Sequence, residues 1–209
     1  MPVTPAKPVP DIVVARLPLY LRALAAMQTL GRVFTSSQEM AGWLGISSAQ
    51  IRKDLSHFGE FGKQGTGYSV AGLQEKLRQI LNIEHEWLIV IIGAGHIGNA
   101  VANYSGFAHR GFRVCAVFDK DPAKVGTRVG RHEVQPMAVL HDVVREQAVK
   151  LAMIAVPVEV AQEVADTVVM AGITAILNYA PINLIVPDTV RVENIDPVLH
   201  LQHMTYYLS

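Results

Sequence analysis

Cysteine is nearly absent: Cys115 is the one such residue in 209, which excludes an intramolecular disulfide and a Cys-rich metal site and suits a reducing compartment. Charge is sparse too, at 17% against 50% hydrophobic residues, the balance of a folded chain and not of a disordered one. No uninterrupted apolar run approaches the ~18 residues of a membrane helix. The N-terminus lacks the charged and apolar regions of a signal peptide, and its Pro2, Pro5, Pro8 and Pro10 predict an extended arm. A cytoplasmic protein without a membrane partner is expected. Net charge is zero, but it is divided. Residues 1–84 carry nine Lys/Arg against six Asp/Glu, a net of +3, and residues 85–209 carry nine against twelve, a net of −3. Such an asymmetry fits a first part that meets nucleic acid.

Two segments follow different patterns. Up to about Asn82 the apolar residues recur at helical spacing. Arg16–Leu30 reads as an amphipathic helix ended by Gly31, and Ser36–Leu44 as a second, with Ser36 and Glu39 spaced as a capping box. Gly45 and Ile46 make a turn. Ser47, with Gln50 as its capping-box partner, opens a third helix running to about His57. Two short helices joined by a Gly-containing turn form the helix-turn-helix pattern. Gly59–Tyr68, with four glycines and flanking aromatics, reads as a short hairpin or wing carrying Lys63, and Gly72–Asn82 as a closing helix.

From Trp87 strands and helices alternate. Strands are expected at Trp87–Ile92, Arg113–Phe118, Val149–Val156, Ile173–Asn178 and Val190–Ile195, with helices at Gly95–His109, Met137–Gln147 and Val158–Ala171. Apolar strands separated by helices indicate a buried parallel sheet of βαβ units. Asp196-Pro197 opens a last helix to Leu208. The fold class is therefore α/β: a parallel-sheet Rossmann domain (85–195) preceded by a small winged-helix domain (1–84) and followed by a C-terminal helix (196–209).

Gly93-Ala94-Gly95-His96-Ile97-Gly98 is the strongest motif. The first glycine permits the tight turn out of a strand, the second lets backbone approach a pyrophosphate, and the third lets the helix pack close to the sheet. The helix N-terminus offers its N–H groups and positive dipole end to phosphate. Asp119 lies 21 residues beyond Gly98, at the end of the next strand, where a carboxylate holds a ribose diol. That carboxylate should repel a 2′-phosphate, so NAD(H) is expected over NADP(H), although Lys120 stands beside it. Val156-Pro157 and Asn178-Tyr179-Ala180-Pro181, at the ends of later strands, are further candidate ligands.

In the third helix Gln50 can read adenine, and Arg52 can pair with guanine or phosphate. Ser47, Ser48 and Lys53 could hold phosphates, and Lys63 could reach the backbone or minor groove. The last helix carries Val198, Leu199, Leu201, Met204, Tyr206, Tyr207 and Leu208, too much apolar surface for an exposed segment, so a dimer interface is expected. Asp196, before that helix, and Arg16, at the start of the first, are candidate switch partners across domains.

With these motifs in view, the chain resembles the Rex family of bacterial redox-sensing transcriptional repressors. The matching stretches are Ala49–Gly62, Gly65–Tyr68, Gly93–Gly98, Ile176–Pro181 and Val192–Asp196. The resemblance implies a homodimer with C-terminal helices exchanged between subunits, binding double-stranded operator DNA. It implies repression of NADH-consuming or fermentative genes and release when NADH rises. It places Gly93–Gly98 and Asp119 on the dinucleotide, Gln50–Lys53 on the reading helix, and Tyr104 at the site, with Ser105 where related chains often carry proline.

A dehydrogenase needs a proton donor or acceptor beside the nicotinamide. None of the eight histidines sits in a recognisable catalytic constellation: His96 belongs to the glycine loop, and His200 and His203 share a face of the last helix. A regulator without catalysis is expected. A small NAD-dependent oxidoreductase and a CoA-binding module are the alternatives.

Overall fold

The structure, a computed structural model, describes residues 9–61 and 67–208. The chain divides into two units, Met1–His85 and Glu86–Ser209.

In the first unit a short helix α1 (Asp11–Val14), not expected from the sequence, precedes α2 (Leu17–Thr29), which matches the helix expected over Arg16–Leu30 to within one residue at each end. Pro18, lacking an N–H, sits in the first turn of α2, where none is required. Strand β1 (Phe34–Thr35) leads to α3 (Ser37–Leu44), capped by the Ser36 hydroxyl, which accepts from Glu39 N at 3.1 Å. The Glu39 carboxylate does not close the capping box; it accepts from Thr35 Oγ1 at 3.1 Å. Gly45 ends α3 at φ 65°, a left-handed conformation that costs a residue with a Cβ more. Helix α4 (Ser48–Ser56) starts at the Ser47 cap, which accepts from Gln50 N at 3.2 Å. Strand β2 (Tyr68–Ser69) pairs antiparallel with β1, and α5 (Val70–Ile80) begins two residues before the expected Gly72 because the Ser69 hydroxyl caps it. Of the wing expected over Gly59–Tyr68, residues 62–66, Lys63 among them, lie outside the described residues, as does the arm up to Pro8. Leu17, Leu24, Met27, Met40, Ile51, Leu55 and Leu77 form the core beneath the helix-turn-helix. Each such side chain contributes roughly 1.5–3 kcal/mol by burial.

The second unit is a seven-stranded sheet. In chain order it contains β3 (Trp87–Ile92), α6 (His96–Ala102), β4 (Phe112–Asp119), β5 (Arg128–Val129), β6 (His132–Pro136), α7 (Leu140–Glu146), β7 (Leu151–Ile154), α8 (Val158–Met170), β8 (Ala175–Asn178), β9 (Arg191–Asn194) and α9 (Pro197–Thr205). The strand order is β5-β6-β4-β3-β7-β8-β9, with every pairing parallel except β5 with β6. The β5–β6 hairpin was not expected from the sequence. Both faces of the central strands are covered, as a parallel sheet requires: Val90, Ile92, Phe118 and Ile154 pack with Leu140, Val144 and Val168, while Ile89, Ile91, Val117 and Met153 form the opposite face. Ile92 stands opposite Phe118 and Ile154, and Ile154 opposite Asn178, so the carboxyl ends of β3, β4, β7 and β8 share one edge. No described helix is long and apolar enough to cross a membrane.

Two helices differ from the sequence pattern. The helix expected over Gly95–His109 stops at Ala102, and a 3-10 turn, Ala108–Arg110, follows. Asn103, Ser105 and Gly106 favour turns over helix interiors, and Asn103 Nδ2 bonds back to Asn99 O at 2.8 Å. Helix α7 is preceded by a 3-10 turn, Met137–Val139.

Candidate functional site

The sheet edge opens on a cavity of about 900 Å³ in the second unit, lined by Gly93, Gly95, His96 and Ile97 from the β3–α6 loop, Asp119 and Lys120 after β4, and Val156 and Pro157 after β7. Steric demands explain two of the three glycines. Gly93 has φ 103°, and a Cβ there would lie 2.4 Å from Ala155 O. A Cβ on Gly98 would collide with Gly93 O, which is how closely α6 approaches the strand. Gly95 is different: its Cβ would meet no atom within 4 Å. It precedes a helix with no side-chain cap. Open space in front of uncapped first-turn N–H groups fits a phosphate.

Asp119 is buried, and its carboxylate is mostly committed within the protein. Oδ2 accepts from Ala94 N at 2.8 Å and from Lys124 Nζ at 3.1 Å, and Oδ1 accepts from Asp121 N at 2.9 Å. Burial pushes the carboxyl's pKa up, but the Asp121 and Ala94 N–H groups and the Lys124 ammonium outweigh it, so the pKa lies below the usual range and the group is charged. Three of about four lone-pair sites are used, leaving one for a hydroxyl. Asp119 therefore fits a ribose contact and also ties the glycine loop to β4, a second task its spacing did not reveal. Lys124 was missed; its five-residue separation from Asp119 carries no motif. Glu163 and Thr167 of α8 also line the cavity and were missed, because they read as the solvated face of a helix.

The remaining sequence candidates lie outside that lining. Asn178 is fully buried: Nδ2 donates to Ala180 O, Ile182 O and Asn194 Oδ1 at 2.9–3.0 Å, and Oδ1 accepts from Ala180 N. It braces the turn containing the buried Ala180 and the exposed Pro181. Tyr104 is half-exposed beyond α6, its hydroxyl accepting from Arg110 Nη1 at 3.2 Å and its ring edge-on to Phe107 at 5.1 Å. Asp196 caps α9, accepting from Val198 N at 2.9 Å. Arg16, its candidate switch partner, is bonded through Nε and Nη2 to Asp54 at 2.6 and 2.7 Å.

In the first unit, α3 and α4 present the helix-turn-helix. Ser47, Arg52 and Lys53 are exposed, and Ser48 and Gln50 are half-buried. Arg52 Nη1 donates to Ser37 Oγ at 2.9 Å, holding the guanidinium at the start of α3. Gln50 does not close the capping box; its Nε2 donates to Asp54 Oδ1 at 2.7 Å.

The domain family described as "CoA binding domain" matches residues 84–182, and the one described as "Putative DNA-binding protein N-terminus" matches residues 8–56. The chain is 49% identical over 200 residues to the redox-sensing transcriptional repressor Rex of Roseiflexus sp. (strain RS-1), covering 96% of this chain and 91% of that one. It is 43% identical over 206 residues to the repressor of the same name from Streptomyces avermitilis, covering 99% of this chain and 82% of that one. Among solved structures it is similar to a complex of RSP with β-NAD+ and operator DNA, with a TM-score of 0.91, 37% identity, and coverage of 97% of this chain and 93% of that one. A complex of RSP with β-NADH has a TM-score of 0.87, 35% identity, and coverage of 97% and 95%.

Proposed function

Because this chain belongs to the Rex family of redox-sensing transcriptional repressors, regulators and not enzymes, we propose that its first unit binds operator DNA, that its second binds NAD(H), and that NADH releases the DNA. The observation that carries the nucleotide half is the uncapped N-terminus of α6, opening beside Gly95 on a cavity whose rim carries a charged Asp119. The α6 N–H groups bind pyrophosphate, and Asp119 takes a ribose hydroxyl on its remaining lone pair. The cofactor supplies a redox-dependent charge: NAD+ has a cationic nicotinamide, whereas NADH has a neutral one. Apolar walls such as Val156 and Pro157 favour the neutral ring, because desolvating a charge is costly. A ligand shifts an equilibrium only by its differential affinity, so NADH must prefer the form that does not hold DNA. Acting on DNA, the protein works in the bacterial cytoplasm.

Dimerisation is assigned to α9. It has no buried residue, and the apolar side chains from Val198 to Leu208 are 54–82% exposed. A second copy of the chain covers them, and the two-fold pairing matches a palindromic operator.

The match to a CoA binding domain keeps a CoA reading in view. Asp119 argues against it, since the adenosine of CoA carries a 3′-phosphate that a carboxylate repels. Calorimetry should show NADH binding more tightly than CoA; the reverse order overturns the nucleotide assignment.

Asp119→Ala removes the acceptor for the Ala94 N–H, which should cost about 1–3 kcal/mol of stability, and should weaken NADH binding. The ribose role is read separately, as a rise in NADPH affinity relative to NADH. An unchanged ratio would leave Asp119 only its loop-holding role. Arg52→Ala should weaken operator binding by about 1–3 kcal/mol if Arg52 reads a base. An equal loss on random DNA would assign it to phosphate, and no loss on either would remove it from the interface.

A further inference from the structure

The reading helix contains a buried charge. Asp54 of α4 has no exposed surface, and its carboxylate accepts four hydrogen bonds: from Arg16 Nε (2.6 Å) and Tyr20 OH (2.5 Å) on Oδ2, and from Arg16 Nη2 (2.7 Å) and Gln50 Nε2 (2.7 Å) on Oδ1. These fill the roughly four lone-pair sites of a carboxylate. Arg16 and Tyr20 stand at the start of α2, so they hold Asp54 from outside the reading helix. Asp54 in turn holds Gln50, one turn earlier on α4. Burial pushes the Asp54 pKa up, and the bonds from Arg16, Tyr20 and Gln50 outweigh it, keeping the group charged.

An ionised carboxylate only accepts. The nitrogen of the Gln50 amide must therefore face Asp54, and the amide cannot turn over. One of its two N–H groups is spent there, which leaves Gln50 one donor and one acceptor. Adenine offers the complement in the major groove, an N7 acceptor and an N6–H donor, whereas guanine offers two acceptors, N7 and O6. We infer that Asp54 is a specificity-determining residue: by consuming one amide hydrogen of Gln50 and fixing the amide's orientation, it commits Gln50 to adenine over guanine. This inference rests on the reading of α4 as the DNA-reading helix with Gln50 at a base.

The test replaces each A·T pair of an operator half-site by G·C in turn and measures affinity for wild type, Asp54→Asn, Gln50→Ala and the double variant. Wild type should lose about 5- to 150-fold at one position, the usual discrimination of a bidentate contact. Asp54→Asn, whose amide can donate or accept, should reduce that ratio to within about threefold, and should leave the ratio unchanged in the Gln50→Ala background. Uniformly weaker binding with the preference intact would make Asp54 a structural residue only and overturn the inference while leaving α4 as the reading helix. No base preference lost in Gln50→Ala would remove Gln50 from the base and end both claims for it. Where Asp54→Asn fails to melt cooperatively, NMR of the wild-type Gln50 side chain decides. Two resolved amide protons, one protected from exchange, are expected; two that exchange equally overturn the inference.

Discussion

Gly98→Ala should abolish the response to NADH while sparing the DNA-binding unit. The added methyl would be driven into the Gly93 carbonyl oxygen, and a backbone atom cannot yield as the end of a flexible side chain does. Helix α6 must lift off β3, carrying its first-turn N–H groups away from the pyrophosphate. Overpacking of this kind costs about 1–3 kcal/mol of stability. A displaced phosphate site should weaken NADH about a hundredfold, near 2.7 kcal/mol. The first unit has a core of its own, from Leu17 to Leu77, so operator binding without nucleotide should persist. NADH fluorescence titration, a thermal melt and a DNA mobility shift read the three effects separately. Unchanged NADH affinity would mean that the glycine loop is a packing turn and not a binding site.

Removing residues 197–209 should yield a monomer. These residues comprise α9 and the 3-10 turn Tyr206–Leu208, and none of their described side chains is buried within the chain. A contiguous apolar segment left in water marks an interface. Deletion removes that surface without exposing a core, so the remainder should fold. Losing the linkage between two reading helices should weaken binding to a palindromic operator by about 10²–10⁴-fold. Light scattering and a mobility shift check both outcomes. A truncated protein that stays dimeric and still responds to NADH would place the dimer interface elsewhere.

Strong periodicity and steric necessity made much of this legible in the sequence. Trp87–Ile92 is a six-residue apolar run and forms a strand over those same residues. Ser36 and Ser47 stand directly before apolar helical patterns, and both hydroxyls cap. The glycine spacing reports crowding at Gly93 and Gly98 and openness at Gly95. Short or polar features left no such trace. Strand β1 has two residues, too few to alternate, and in β6 only Val134 is buried. Asp54 looks like one more polar residue on a charged helix, because the partners that justify its burial, Arg16 and Tyr20, stand 38 and 34 residues away. Side chains are also spent where spacing cannot show it. Gln50 is spaced to close a capping box but turns to Asp54, and Arg16, a candidate partner for Asp196, is bonded to Asp54 as well. For Gln50, a charge-assisted bond to a buried carboxylate replaces the local cap, and such bonds are stronger than neutral ones.

In this protein the second unit is proposed to read the redox state of the nicotinamide, and the first unit to report it on DNA. The most direct test is operator binding by the intact protein with NADH and NAD+ titrated separately. NADH should release the operator at concentrations where NAD+ leaves it bound, and Gly98→Ala should remove this difference without removing DNA binding. Release by both nucleotides at equal concentrations, or by neither, would contradict it.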